Sequence, residues 1–151
     1  MKTLSTIADR DEIVSRVWAL TADSQRRWGR MSVTQMLCHL SDSFRAPLGD
    51  KQASPSDNWF TRSLFKWGAL YFPAQWPHGV KTRPEMDAEQ GGTPSKGFNA
   101  DRDELLELLD RCVNLGPTHT WRHPMFGFIS DSETMRWAYL HTDHHLRQFG
   151  V

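Results

Sequence analysis

The chain has 151 residues with 18 basic and 18 acidic side chains, so its formal net charge is zero and its length suits one domain spanning 1–151. That even balance, with no basic stripe, argues against a nucleic-acid binder, and no apolar run approaches the roughly 20 residues of a membrane span. The opening MKTLSTIADRDEIV lacks the apolar centre of a secretory leader, and Cys38 and Cys112 make neither a disulfide framework nor a CxxC pair, so a cytoplasmic setting is expected. Seven tryptophans and eight phenylalanines supply core volume that a modest aliphatic content does not.

A first helix is expected over Asp9 to Leu20, where Ile13, Val17 and Leu20 form an i, i+4, i+7 stripe and Asp11 and Glu12 complement the dipole of the first turn. Ser32 with Gln35 reads as a capping box opening a second helix, VTQMLCHLSDSFRAPLG, which stops near Pro47 and Gly49. Its apolar stripe is Val33, Leu37, Leu40 and Phe44. His39 falls on a small, polar face with Ser32, Gln35, Met36, Asp42, Ser43 and Ala46, which suits either solvated surface or an enclosed polar pocket.

Asn58 to Phe72 is apolar almost all round and predicts a short buried or wedge-like helix closed by Pro73. From Pro73 to Gly97, Pro73, Pro77, Pro84 and Pro94 alternate with Gly79, Gly91, Gly92 and Gly97, a density that leaves a long loop. Lys81 and Arg83 are its candidate anchors for a phosphate or carboxylate, although such residues are usually solvated. Asn99 is positioned to cap a third helix, ADRDELLELLDRCVN, with Leu105, Leu106, Leu108 and Leu109 on its apolar side and Gly116 and Pro117 after its end. The aromatic THTWRHPMFGFIS reads as loop. Ser130 and Glu133 repeat the capping box and open the last helix. Four amphipathic helices, a short extra helix, a long Pro/Gly-rich loop and no convincing strand make an all-α bundle the natural architecture.

The last helix carries His141, His144 and His145. His145 lies about 40° from His141 on the helical wheel, His144 about −60°, Gln148 about −20° and Trp137 about −40°, whereas Asp143 points away. An i, i+4 histidine pair suits two ligands of one metal ion, and a zinc site needs a third from elsewhere. The competing reading is a helix C-terminus enriched in cations that favour the negative end of the dipole. Thr142 stands where HExxH would place its glutamate, and no glutamate precedes any of these histidines by three positions, which excludes a zincin and a carboxylate-bridged di-iron bundle. Phosphate-binding glycine loops and nucleophile elbows are absent as well.

WGRMSVTQMLCHLSDSFR, followed far downstream by HTDHHLRQFG with HPMFG before the last helix, resembles the DinB/YfiT-like superfamily of metal-binding four-helix bundles, over essentially the whole chain except the Pro-rich loop. In that superfamily a histidine of the second helix meets two histidines four apart on the last. Carried over, the resemblance implies His39, His141 and His145 as ligands of a divalent metal, zinc or nickel. It makes His144 an accessory or proton-transfer residue and gives Asp42, one turn from His39, the task of orienting a ligand imidazole. Trp28, Trp76, Trp121 and Trp137 are candidates for pocket walls or core packing.

Three neutral imidazoles would leave the ion's charge uncompensated, so that it could acidify bound water or take a thiolate. The expected function is therefore a metal-dependent enzyme, a hydrolase or a transferase using a low-molecular-weight thiol, acting on a small molecule, with a homodimer compatible with such a bundle. The alternative is a non-catalytic bundle that binds a small ligand or a partner, its metal structural or absent. A fourth protein ligand, such as His144 or His123, would favour that alternative.

Overall fold

The structure, a computed structural model, describes residues 1–72 and 75–151, and is mostly helical with one small two-stranded sheet. Its helices are α1 (Ile7–Trp18), α2 (Val33–Leu48), α3 (Lys66–Tyr71), α4 (Phe98–Val113) and α5 (Asp131–Gln148). One hydrophobic cluster joins them. It contains Ile13 and Val17 of α1, Met36, Leu37, Leu40 and Phe44 of α2, Leu105 and Leu109 of α4, and Met135, Tyr139 and Leu146 of α5. The helix α2 packs against α4 and α5, and α1 against α5. Among the described residues no helix is long and apolar enough to cross a membrane.

The two helices that carry the histidines start where their capping boxes place them. The Ser32 hydroxyl accepts from the Gln35 backbone N–H while the Gln35 side chain accepts from the Ser32 N–H, and Ser130 with Glu133 repeats the exchange. Gly49 ends α2 in the left-handed conformation at φ 80°, which an L side chain would adopt only with strain. Such reciprocal caps satisfy donors that are otherwise orphaned and pin the first turn, and with it the register of every later side chain on the helix. The first helix sits slightly earlier than its stripe suggested, beginning at Ile7, with the Asp9 carboxylate accepting from the Thr3 N–H and the Thr6 hydroxyl.

Four expectations change. The helix α4 begins at Phe98 with Gly97, φ 107°, as its cap, rather than Asn99. No side chain caps its first turn; the buried Asp101 carboxylate instead accepts from the Lys96 N–H and the Ser95 hydroxyl and ties the preceding loop to the helix. The aromatic stretch before α5 forms an antiparallel hairpin, β1 (Thr120–His123) and β2 (Gly127–Ser130), with Trp121 opposite Ile129 and His123 opposite Gly127. Gly127 closes its turn at φ 69°. His123 and Ile129 point inward and are buried while Phe128 is exposed, so the alternation of a half-buried sheet is present in strands of four residues.

The segment 59–72 is a π-helical turn (Thr61–Phe65) running into α3, and most of it is not buried: Trp59 is 78% exposed and Trp67 60%. Leu70, fully buried, anchors it, and its carbonyl accepts from Arg136 Nε at 2.9 Å. An apolar circumference without a neighbour on every side stays exposed. Pro73, expected to close this helix, lies outside the described residues. Within the loop that follows, Pro84–Met86 form one 3-10 turn. That turn delivers a backbone group to the histidines.

Candidate metal centre

The helices α2 and α5 bring His39, His141 and His145 together, with one ring nitrogen of each within 4.8 Å of the others. His39 is only 6% exposed and His145 8%, so the face of α2 that carries His39 lines an enclosed pocket rather than solvated surface. His39 Nδ1 lies 3.0 Å from the Met86 carbonyl oxygen, brought in by the 3-10 turn. His145 Nδ1 lies 2.9 Å from Gln148 Oε1, and the same amide donates its Nε2 to the Trp28 carbonyl at 2.8 Å, which fixes which end faces the ring. A carbonyl oxygen can only accept, so both rings carry their proton on Nδ1 and leave Nε2 as a bare lone pair.

Those lone pairs converge. His39 Nε2 is 3.2 Å from His141 Nε2, a hydrogen bond in metal-free protein that His141 donates, since the His39 nitrogen carries no proton. A tetrahedral ion with nitrogen bonds of about 2.0–2.1 Å would hold two ligand nitrogens about 3.3–3.4 Å apart, so this pair has the spacing of two ligands. Burial holds His39, His141 and His145 below the ordinary imidazole pKa, and for His141 and His145 the neighbouring histidines push in the same direction. At neutral pH all three are uncharged. Three neutral imidazoles whose ring nitrogens gather within 4.8 Å could hold a metal ion.

Beside the triad opens a cavity of about 950 Å³ whose walls include Trp28, Trp76, Trp121, Trp137, His123 and His144. All four tryptophans singled out in the sequence thus reach the wall. Trp137 stacks on His141 at 5.3 Å between ring centroids, and Trp28 stacks on His78 at 4.0 Å. His144 stands at the rim, its ring 5.2 Å from that of His145 and about 6 Å from those of Trp28, Trp76 and His78. Its buried Nδ1 has no hydrogen-bond partner among the described residues. Burial, followed by Arg147 and His78, lowers its pKa to about 4.

Two candidates do not join the cluster. His123 Nδ1 accepts the backbone N–H groups of Met125 (3.1 Å) and Phe126 (3.2 Å), its ring stacks on Phe126, and burial lowers its pKa to about 3. Its committed nitrogen belongs to the hairpin turn. Asp42 faces away from the triad and does not orient a ligand ring. Its oxygens accept from Arg45 Nη1 (2.9 Å), Lys51 Nζ (2.6 Å), and both the hydroxyl (2.6 Å) and backbone N–H (2.8 Å) of Thr93. The orienting role expected of Asp42 is filled by the Met86 carbonyl and Gln148. Gln148 was visible as a neighbour on the histidine face, one turn after His145. Met86 left no side-chain signal, because the group used is its main-chain carbonyl. Neither cysteine competes for the chemistry, since burial raises the thiols of Cys38 and Cys112 to about 12.

Comparison with family models, with curated proteins and with solved structures finds no match to this chain. The site has to be read from its own geometry.

Proposed function

We propose that the chain is a metal-dependent enzyme of DinB type, in which His39, His141 and His145 hold one divalent ion, zinc or nickel, through Nε2. The observation that carries this reading is the pair of carbonyl-locked tautomers, which leave the Nε2 lone pairs of His39 and His145 without a proton in a buried setting. The four-residue spacing of His141 and His145 on the last helix, opposite a histidine of the second, supports the kinship. When bound, such an ion supplies Lewis acidity that lowers the pKa of water toward about 7 or accepts a thiolate.

The chain's own residues divide the remaining work. The Met86 carbonyl and Gln148 hold the ligand rings in one tautomer and one orientation. The tryptophan walls give the cavity a predominantly apolar lining beside the histidines. His144, neutral at pH 7 with a free Nδ1 at the rim, is placed to accept or pass on a proton from a substrate hydroxyl or thiol. The reaction is hydrolysis or a transfer that uses a low-molecular-weight thiol. The non-catalytic alternative called for a fourth protein ligand, His144 or His123: His123 has its Nδ1 occupied by the hairpin turn, and His144, its ring 5.2 Å from that of His145, is given the proton-transfer task in this reading instead.

Elemental analysis of untagged protein tests the reading. One equivalent of metal is expected in the wild type and none in the His141→Ala/His145→Ala double variant. Absence of stoichiometric metal from the wild type, or its retention in the variant, refutes the site.

A further inference from the structure

Charged groups on the cavity wall are unevenly paired. Asp87 is the wall's carboxylate, and it is neutralised by a short contact from Arg30 and by hydrogen bonds from Gln90 Nε2 and the Glu89 N–H. Arg83 also lines the cavity, yet among the described residues its guanidinium has no hydrogen-bond or salt-bridge partner, and its Nε is shielded from solvent. A guanidinium offers five donors in a planar fork, so one whose Nε is shielded and meets no acceptor is anomalous. Lys81, exposed and unpaired among the described residues, lies on the same wall. The loop cations that look solvated in the sequence therefore give the cavity an excess of positive charge, facing walls made of Trp76, Trp121, Phe65 and Met125.

From this we infer that the ligand of the cavity is an anionic amphiphile, with a carboxylate or similar anion gripped by Arg83 and an aromatic or alkyl body lying along the tryptophans. The inference rests on the cavity being the substrate site of the proposed metal centre. Arg83 selects the class of substrate, and the histidine cluster selects what is done to it. A fork that meets two carboxylate oxygens at once rewards that geometry, which an ammonium reproduces only as a point charge.

The probes are 4-phenylbutyrate and its uncharged amide, titrated by calorimetry into wild type, Arg83→Gln and Arg83→Lys, each metal-loaded and after chelation. The wild type is expected to prefer the acid by about 10- to 100-fold, the worth of a charge-assisted hydrogen bond, with or without metal. Arg83→Gln should abolish the preference and Arg83→Lys should retain part of it. Equal binding of acid and amide to the wild type, no binding of either, or an undiminished preference in Arg83→Gln overturns the inference. A preference that vanishes on chelation but survives Arg83→Gln assigns the anion to the metal, overturning the role of Arg83 while leaving the metal reading intact. If the wild type holds no metal but Arg83→Gln still abolishes the preference, the metal reading fails and the anion site stands.

Discussion

Two buried polar groups lie within a turn of each other on α2 and behave in opposite ways. Asp42, fully buried, receives four hydrogen bonds from Arg45, Lys51 and Thr93, and Arg45 passes on to Glu104 at 2.5 Å. Burial alone would raise its pKa, but the donors from Lys51 and Thr93 more than offset that and hold it below the ordinary carboxylate value. His39 is nearly as buried, yet the Met86 carbonyl fixes its proton on Nδ1 and leaves Nε2 with no partner but another imidazole, His141 Nε2 at 3.2 Å. A buried polar group whose valences are filled by the protein holds structure together. One whose partners leave a lone pair open is prepared for something the protein does not contain.

The comparison breaks hardest at Asp42. Asp42→Ala strands Lys51 in a largely buried setting and leaves Arg45 with Glu104 alone, and the loss of one partner from such a network typically costs about 3–5 kcal/mol. Urea denaturation of metal-free protein should register that loss, while the variant, where folded, still takes up one equivalent of Co²⁺. If Asp42→Ala instead removed metal and left stability intact, the division between the two groups would be reversed. A smaller effect is expected at Gln148. Gln148→Leu leaves all three histidines in place but releases the proton position of His145, and loss of such an orienting partner typically weakens metal affinity by about 10- to 100-fold. Competition of Zn²⁺ against a chromophoric chelator measures it, and an unchanged affinity would show that the amide does not set the tautomer.

How much of this was readable beforehand follows the range of the interactions. The capping boxes Ser32/Gln35 and Ser130/Glu133 act over three residues, so the starts of both histidine-bearing helices were legible to the residue. The shared face of His141, His145, Gln148 and Trp137 followed from helix geometry alone. The hairpin was overlooked because strands of four residues carry too few alternations to outvote a Pro-Met-Phe-Gly turn, although Trp121 and His123 on one strand and Ile129 on the other hold the signal. Asp42 was misassigned for a different reason: its partners Lys51 and Thr93 arrive from loops whose paths no periodicity sets. The exposed Trp59 and Trp67 belong to the same class, since composition reports how apolar a segment is and not whether anything covers it.

The smallest predicted effect concerns pH and returns to a buried histidine whose proton position is settled internally. His123 has an ordinary value of 6.5 that burial lowers to about 3 in the folded chain. Below pH 6.5 the unfolded chain takes up a proton that the folded chain refuses until about pH 3, so the stability held above pH 6.5 is lost as pH falls through that window. At pH 5.5 the contribution is about 1.4 kcal/mol, from one unit of separation between the pH and the unfolded value. The triad and His144 act in the same direction in metal-free protein. His123→Asn isolates this residue, because the amide oxygen can accept from the Met125 and Phe126 N–H groups without titrating. Chemical denaturation of the metal-free proteins at pH 7.5 and 5.5 should therefore show wild type losing about 1.4 kcal/mol more than His123→Asn across that interval. Equal losses would mean that His123 is protonated while folded, and that its Nδ1 does not accept from the hairpin turn.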